Sequence, residues 1–155
     1  MGEEASIVAL FPGLSNDPDF KVTSPSTPNY NCIAWASHYD NRWMWPKIPG
    51  MLLFDGWSYW PDGVENSEDV SAFIKAFEKK GYVLCDNADF EKDFSKIALY
   101  IQPGTTDCTH AARQMRNGKW TSKLGRLNDI QHGTPYTIEG DAYGKVHCIM
   151  KVPYL

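Results

Sequence analysis

The stretch that decides the fold reads Asn29-Tyr30-Asn31-Cys32-Ile33-Ala34-Trp35-Ala36. It follows the turn-forming run TSPSTP at positions 23–28, and from there the chain becomes apolar and compatible with a helix. An asparagine at position 29 or 31 can cap the helix by accepting hydrogen bonds from N–H groups of its first turn. The pattern predicts a short helix that begins at Cys32, runs through Ala36 and ends near positions 38–41.

Cys32 occupies the first turn of this predicted helix. The positive end of the helix dipole lowers the pKa of a thiol placed there and favours the nucleophilic thiolate. A free cysteine is otherwise among the most frequently buried residues, and it then acts as a small hydrophobic side chain. Cys32 is therefore either a core residue or a nucleophile, and a partner histidine elsewhere in the chain decides between the two.

The composition indicates an ordinary globular domain. The chain has 155 residues, of which 43% are hydrophobic and 22% charged, so residues 1–155 suit a single domain, either complete or cut from a longer protein. Its net charge of -4 argues against nucleic acid as a partner, and its N-terminal apolar run at positions 7–11 is too short to cross a membrane. No secretory signal is visible, so we expect a cytoplasmic protein or a domain delivered into a target cell within a larger secreted protein.

Periodicity and turn signals predict an α+β fold. The clearest helix spans 67–80, with Ser67 as its N-cap and Gly81 at its end, and a short strand is expected at Ile7–Phe11. From Gly81 onward the pattern is β, and Asn117-Gly118 is a strong hairpin signal. The predicted C-terminal strands, which form an antiparallel sheet, are Tyr82–Cys85, Lys96–Ile101, Thr109–Met115, Lys119–Lys123, 127–131 and Val146–Val152.

A long irregular segment, Arg42–Glu65, separates the two predicted helices. Its prolines and glycines exclude a continuous helix or a central strand. Such a segment either packs as a second hydrophobic cluster or forms one wall of a binding cleft, and both interpretations stay open. Its aromatic residues are Trp43, Trp45, Trp57, Tyr59 and Trp60.

A histidine in the predicted hairpin changes the interpretation of Cys32. His110 lies in the first hairpin strand, where alternation aims it either at the core or at a cleft wall. A cysteine nucleophile needs an imidazole within hydrogen-bond reach, and that imidazole needs an orienting group. On the return strand Ser122 is the residue that the turn count places beside His110, with Asp129 and His132 as alternatives. The order of cysteine, histidine and polar residue predicts a catalytic Cys32–His110 pair.

These motifs resemble those of the papain-like cysteine peptidase and amidase superfamily, including its NlpC/P60 branch. Asn31-Cys32-Ile33-Ala34-Trp35 looks like the helix-initiating cysteine of that superfamily. His110-Ala111-Ala112, followed by a hairpin and by Ser122-Lys123-Leu124-Gly125, is similar to the papain-like order of a strand histidine and a polar third residue. The resemblance implies a papain-like fold, in which an N-terminal helix carrying the cysteine packs on a C-terminal antiparallel β-sheet.

The chain departs from the papain-like pattern around its nucleophile and at its third residue. Ser122 falls where papain-like enzymes usually carry Asn, and where NlpC/P60 enzymes carry His or another polar residue, so His132 can take that role instead. The Gly-Ser-Cys-Trp element is absent, and so is the oxyanion-hole glutamine upstream of the cysteine. The backbone N–H of Cys32, with the side chain of Asn29 or Asn31, would replace that glutamine.

The resemblance implies a cysteine hydrolase that cleaves an amide bond in a protein or peptide. Cys32 would form a thioester, with His110 as acid and base and without a cofactor, and Trp35 is expected to contact the substrate. The fuller motif set also resembles an uncharacterised bacterial family, and small papain-like domains recur as toxin or effector modules. We therefore expect an antibacterial effector protease, with an immunity or inhibitor protein as a partner.

Three alternatives stay open. The same thioester chemistry serves a protein-glutamine deamidase or a peptidoglycan amidase. A non-catalytic binding module would use the tryptophan-rich segment as its recognition surface. The third alternative is a zinc site built from Cys108, His110 and Cys148, although the chain has no paired Cys-x-x-Cys spacing and we predict no metal.

Overall fold

The computed structural model describes residues 2–46, 58–124 and 127–154. They form a mixed α/β domain in which a seven-stranded antiparallel sheet has helices on both faces, so the predicted combination of helices with an antiparallel sheet is confirmed. Within those ranges, none of the helices is long and apolar enough to cross a membrane. The α-helices are α1 (Gly2–Leu10), α2 (Cys32–Ala36) and α3 (Val70–Glu78), and 3₁₀ turns span Pro12–Asn16 and Pro135–Ile138. The strands are β1 (Lys21–Val22), β2 (Trp43–Met44), β3 (Ser58–Tyr59), β4 (Val83–Cys85), β5 (Phe94–Ile101), β6 (Cys108–Gln114), β7 (Trp120–Lys123), β8 (Asp129–His132) and β9 (Lys145–Pro153).

The large sheet has the strand order β1-β8-β7-β6-β5-β9-β4, and each neighbouring pair is antiparallel. Strands β5 to β8 are neighbours in space as they are in sequence, and β9 returns to pair with β5 along its whole length. Strands β2 and β3 form a separate two-stranded parallel ribbon. This topology places the strand that carries His110 in the middle of the sheet, between β5 and β7.

Alternation along β5 divides the core into two clusters on opposite faces of the sheet. Ile97 and Leu99 pack with α2 and α3 on one side, which we call the α2 face. Ala98 and Tyr100 pack with α1 and the two 3₁₀ turns on the other side, the α1 face. A strand buried on both faces is apolar along most of its length, and this explains why the sequence alone identified β5.

Asn31 determines where α2 begins. Its Oδ1 accepts from the N–H of Ala34 at 3.1 Å and from the N–H of Met44 at 3.0 Å, and its Nδ2 donates to the Met44 carbonyl at 2.9 Å. Asn31 is 2% exposed, so these three bonds replace the water that its amide loses on burial. The predicted start of the helix is confirmed, and the cap is Asn31 rather than Asn29.

Helix α3 is shorter than the predicted helix. It spans Val70–Glu78, and its N-cap is Asp69 rather than Ser67, with the Asp69 side chain accepting a first-turn N–H at 3.0 Å. The hydroxyl of Thr106 also donates to Asp69, so the neighbouring β5–β6 loop favours this cap. Gly81 has a φ of 94°, a conformation that favours glycine, and it turns the chain toward β4.

The strand predicted at Ile7–Phe11 is wrong, because most of this segment belongs to α1. Ile7 and Phe11 are both buried in the α1-face cluster, at the i and i+4 spacing of one helical turn. A short apolar run does not distinguish a strand from a buried helix by periodicity alone. Its packing against the sheet decided between the two.

The hairpin predicted at Asn117-Gly118 is confirmed. It joins β6 to β7, with Arg113 opposite Thr121. Gly118 has a φ of 87°, which the turn requires, and the Asn117 side chain accepts from the N–H of Lys119 at 2.9 Å. The predicted strands β4, β5, β8 and β9 also form, within a few residues of their predicted ends.

Two tryptophans of the described part of the aromatic segment pack in or against the core. Trp45 and Trp60 each meet Phe73 of α3 edge to face, with ring centroids 5.2 Å and 5.1 Å apart. Their indole N–H groups donate to a glutamate side chain and to a backbone carbonyl, so both are satisfied. These two residues support the interpretation as a hydrophobic cluster, while Trp57 lies outside the described residues.

We expect Asn31→Ala to lower the free energy of unfolding by about 2–4 kcal/mol, because it removes a helix cap and leaves backbone groups of Ala34 and Met44 buried without partners. Asn29→Ala is the matched control, since Asn29 is exposed and its side chain makes no hydrogen bond in the described part of the chain. Urea unfolding of both variants measures the difference. Equal losses in the two variants would contradict the role assigned to Asn31.

Candidate active site

A chain of hydrogen bonds between three buried side chains links β6, β7 and β8. His110 Nε2 lies 3.0 Å from Ser122 Oγ, and the same Oγ lies 2.8 Å from His132 Nε2. His132 Nδ1 lies 2.8 Å from the carbonyl oxygen of Thr134. The three side chains share the α1 face of adjacent strands, and each residue is 0% exposed. The chain is therefore closed off from solvent and ends on the backbone.

The carbonyl of Thr134 fixes the position of every proton in this chain. Because a carbonyl only accepts, His132 Nδ1 carries the hydrogen, and Nε2 of the neutral ring accepts from the Ser122 hydroxyl. The Ser122 oxygen then accepts from His110 Nε2–H. The remaining nitrogen, His110 Nδ1, is unprotonated, and among the described residues it has no hydrogen-bond partner although it is buried. A free lone pair of this kind is what a general base requires.

Burial keeps both imidazoles neutral. It lowers the pKa of His132 to about 4. It also lowers the pKa of His110 well below its usual value, and the nearby His132 acts in the same direction. The His110 ring stacks on Tyr143, with ring centroids 4.0 Å apart and planes inclined by 8°. The stack and the bond to Ser122 together hold this ring in one orientation.

Cys32 begins α2 beside the strand that carries His110. Burial raises the pKa of its thiol to about 11, although the N–H groups of Ala111, Ile33 and Cys32 itself face the sulfur and act in the opposite direction. The predicted lowering of this pKa by the helix start is therefore wrong. The residue is only 7% exposed, and the loss of solvation raises the pKa of the thiol by more than these N–H donors lower it.

Cys32 and His110 belong to opposite faces of the sheet. Cys32 packs with Ala111 on the α2 face, whereas His110 contacts Tyr100 and Tyr143 on the α1 face. No hydrogen bond joins Cys32 to His110 in the part of the chain that the structure describes. The two residues meet at one peptide unit, because the N–H of Ala111 that faces the Cys32 sulfur belongs to the His110–Ala111 bond. Tyr143 is near both, since it stacks on His110 and since burial and then Cys32 raise the pKa of its phenol.

The structure puts Ser122 and His132, which the sequence presents as alternatives, in series. Ser122 contacts His110 directly, and His132 orients Ser122 from the far side. Asp129, the other alternative, is on β8 but accepts a hydrogen bond from the Tyr30 hydroxyl at 2.7 Å, on the α2 face. Asp129 is therefore separate from the imidazole chain.

The predicted oxyanion and substrate-binding residues differ in how their side chains are used. Both ends of the Asn31 amide are bonded to backbone groups, which gives it a capping role. Asn29 is exposed. Trp35 is half-buried, and its indole N–H donates to Thr121 Oγ1 at 3.0 Å. The donors that do face the Cys32 sulfur are backbone N–H groups. A substrate role for these three side chains stays a prediction.

Lys123 is a site neighbour to which the sequence assigned no role, although it follows Ser122 in the quoted motif. Its residue exposure is 0%, and its Nζ donates to the carbonyl oxygens of Thr27 at 2.7 Å and Leu127 at 2.6 Å. Burial lowers the pKa of Lys123 to about 8, and its charge lowers the pKa of Cys32. Thr27 lies in the segment that leads into α2, so Lys123 links this segment to β7. A lysine in a hairpin strand usually indicates an exposed position, so the sequence contained no signal for this one.

The residues of the zinc alternative are not brought together. Among the described residues, no three His, Cys, Asp or Glu side chains are grouped as a metal site would require. Cys108 and Cys148 pack in or against the α2-face cluster, whereas His110 belongs to the α1 face.

A small mixed α/β domain thus carries a buried, proton-ordered histidine chain on one face of its sheet and a helix-initiating thiol on the other. The chain belongs to the family described as a domain of unknown function, DUF7689, whose sequence profile matches residues 21–151. That range contains Cys32, His110, Ser122 and His132. No curated protein and no solved structure matches the chain.

We expect the free energy of unfolding to fall as the pH drops from about 6.5 toward 4. The folded pKa values of His110 and His132 lie below the unfolded value, so the stabilisation is complete above that value and is lost as the unfolded imidazoles take up protons. The loss approaches about 1.4 kcal/mol per pH unit for each ring. Urea unfolding across this range measures it. His132→Asn should reduce the slope, the exposed control His147→Asn should not, and equal slopes in all three proteins would contradict the neutral burial.

We expect Cys32 to react slowly with iodoacetamide in the free protein at neutral pH, because its thiol is buried and its pKa is raised to about 11. The half-buried Cys85 serves as the internal reference in the same sample. Mass spectrometry of peptides after timed alkylation gives both rates. Faster alkylation of Cys32 than of Cys85 at neutral pH would contradict a protonated resting thiol.

Proposed function

We propose that the protein is a papain-like cysteine hydrolase that cleaves an amide bond in a protein or peptide. The observation that carries the proposal is the free lone pair of His110 Nδ1, buried beside the peptide unit whose N–H faces the Cys32 sulfur. Leaving a buried nitrogen without a partner costs about 1–3 kcal/mol, which a purely structural histidine would avoid. A role as proton acceptor for Cys32, which one peptide unit separates from His110, would explain why this nitrogen is left free.

In the proposed acylation step, His110 Nδ1 accepts the thiol proton as the Cys32 sulfur bonds to the substrate carbonyl carbon. The carbonyl π electrons move to oxygen, and they return as the carbon–nitrogen bond breaks. The leaving amine takes the proton from Nδ1, so the imidazole is neutral again. The product is a Cys32 thioester and a free amine. The Ser122–His132 chain keeps Nε2 protonated throughout and thereby keeps Nδ1 the basic nitrogen.

In the proposed deacylation step, a water molecule replaces the amine. It loses one proton to His110 Nδ1 as its oxygen attacks the thioester carbon, and the sulfur–carbon bond then breaks. The proton on Nδ1 returns to the sulfur, which restores the neutral thiol and imidazole pair. Release of the carboxylic acid product completes the cycle.

Backbone N–H groups are the proposed stabilisers of the oxyanion. The N–H groups of Cys32, Ile33 and Ala111 converge on the sulfur, so they are close to any carbonyl that the sulfur attacks. Fixed backbone donors need no reorganisation in the transition state. They would serve in place of the side chains of Asn29 and Asn31 that the sequence suggested.

The buried thiol and imidazole describe a resting state. The two groups form no hydrogen bond in the described chain, and catalytic hydrogen bonds are often long in free enzymes and shorten when substrate binds. Because both groups are neutral near pH 7, the proposed reaction starts from a thiol and a neutral imidazole rather than from an ion pair. Activity should therefore persist to alkaline pH and decline only when His110 is protonated.

The topology supports the papain-like assignment within this proposal. A helix begins at the cysteine and packs on an antiparallel sheet, the histidine follows on a central strand, and the polar third residue lies on the next strand. By analogy with small papain-like effector domains, we propose bacterial growth inhibition as the biological role. An immunity or inhibitor protein would then cover the site.

Expression in a bacterial host tests the proposed function. Wild type and Cys108→Ala, which removes a different buried thiol of the same α2-face cluster, should both produce new protein N-termini that proteomics detects. Cys32→Ala and His110→Gln should lower their yield by about a thousandfold, because each removes a group that the reaction cannot replace. Circular dichroism checks that all four proteins fold.

Cleavage that persists in folded Cys32→Ala would overturn the proposed hydrolase. Ammonia release without new N-termini would instead identify a glutamine deamidase that uses the same thioester. New N-termini from wild type and Cys108→Ala only would support the peptidase.

A further inference from the structure

Four cations surround the segment that follows α2. Lys80 and Arg113 contact this segment through hydrogen bonds to Tyr39 and His38, and Arg42 lies over the Tyr39 ring. Arg116 is close enough to lower the pKa of His38. None of the four forms an ion pair within the described residues, whose salt bridges involve three other lysines. This concentration of positive charge is unusual in a chain whose net charge is -4.

Aromatic rings contact these cations directly, and the carboxylate of Asp129 acts on Arg113 at longer range without forming an ion pair in the described chain. The Arg113 guanidinium lies 4.8 Å from the Trp35 ring centroid, and Arg116 lies 3.6 Å from that of Tyr154. Lys80 Nζ lies 4.4 Å from the Tyr39 centroid. An aromatic ring orients a guanidinium or ammonium group through its face and leaves the N–H donors free for another acceptor. Several cations held by rings in this way present N–H donors that an oxyanion can bind.

Arg113 has few acceptors for its donors. Its one hydrogen bond in the described structure runs from Nη1 to His38 Nδ1 at 3.1 Å. Its Nε is buried without a partner. A guanidinium carries five N–H donors in a planar fork that matches two oxygens of a phosphate or carboxylate. A bound oxyanion would approach the outer nitrogens, Nη1 and Nη2, since Nε is buried.

His38 lies at the centre of the cluster in an unusual conformation. Its φ of 70° is the one positive value for a residue other than glycine in the described chain. Because Nδ1 accepts from Arg113, Nε2 carries the proton and points to Ser95 Oγ at 3.4 Å. This left-handed residue ends α2, because the N–H groups of His38 and Tyr39 donate to the carbonyl oxygens of Trp35 and Ala34.

We propose that His38, Lys80, Arg113 and Arg116 form a binding site for a phosphate-type oxyanion. The proposal does not depend on the hydrolase function, since the site lies at the end of α2 opposite to Cys32. A multiply charged tetrahedral anion suits a cluster in which Lys80 after α3, Arg113 of β6 and Arg116 of the β6–β7 hairpin present cations around a neutral His38.

The protonation of His38 gives the site an independent signature. Burial and then Arg113, Lys80 and Arg116 lower the pKa of His38 to about 4, so its imidazole is neutral near pH 7. Tyr39 and Ser95 also contact this group of residues, and Asp40 follows in the chain without an ion pair to any described cation. A bound anion compensates the cations, so it must raise the pKa of His38.

Titration calorimetry with inorganic pyrophosphate, at constant ionic strength and near pH 7, tests the proposal. Wild type should bind it saturably at one site. The variants Lys80→Gln and Arg116→Gln should each weaken binding by about tenfold, which corresponds to one lost charged hydrogen bond. Lys145→Gln is the matched control, because Lys145 is exposed and lies at the start of β9. Val152, which pairs with Ser95, lies near the other end of this strand. Its affinity should stay within about twofold of wild type.

A second readout separates this site from general charge attraction. In NMR titrations the pKa of His38 should rise when pyrophosphate is added and stay unchanged with an equal ionic strength of chloride. Absence of saturable binding, or equal weakening in Lys145→Gln, would overturn the site. Tighter binding of citrate than of pyrophosphate would overturn the assignment to phosphate-type anions.

Discussion

One hydrogen bond to a backbone carbonyl, from His132 to Thr134, is the constraint on which the buried polar interior depends. Because the carbonyl can only accept, the proton positions of His132, Ser122 and His110 follow from it one after the other. The sheet is covered on both faces at this place, so water does not supply alternative partners. The result is a single tautomer of His110 with an unprotonated Nδ1.

The second constraint is the position of α2 on the sheet. Asn31 uses its whole amide to begin the helix and to bind the backbone of Met44, while buried Lys123 ties the preceding residues to β7. The sulfur of Cys32 thereby faces the N–H of Ala111 from the α2 face. His110 belongs to the other face, and a single peptide unit lies between the two groups. Burial keeps the resting thiol protonated, and this one peptide unit separates the two members of the proposed catalytic pair.

Local signals predicted the elements whose cause is local. The Asn31 cap and the Asn117-Gly118 turn each depend on a few neighbouring residues, and both formed as predicted. The prediction at Ile7–Phe11 was wrong, because a short apolar run suits a strand and a buried helix equally well. The predicted pKa of Cys32 was wrong for a related reason. Helix position is readable from the chain, whereas the depth of burial, which dominates this pKa, is not.

The sequence by itself determined the helix that begins at Cys32, the strand that carries His110 and the hairpin that brings Ser122 to its side, because capping, alternation and turn chemistry act over short distances. Only the tertiary structure decided that Ser122 and His132 act in series, that Cys32 and His110 occupy opposite faces, and that unpaired cations gather around His38. These properties arise from sheet register and desolvation between segments far apart in the chain. No local sequence pattern encodes the sheet register or the extent of desolvation.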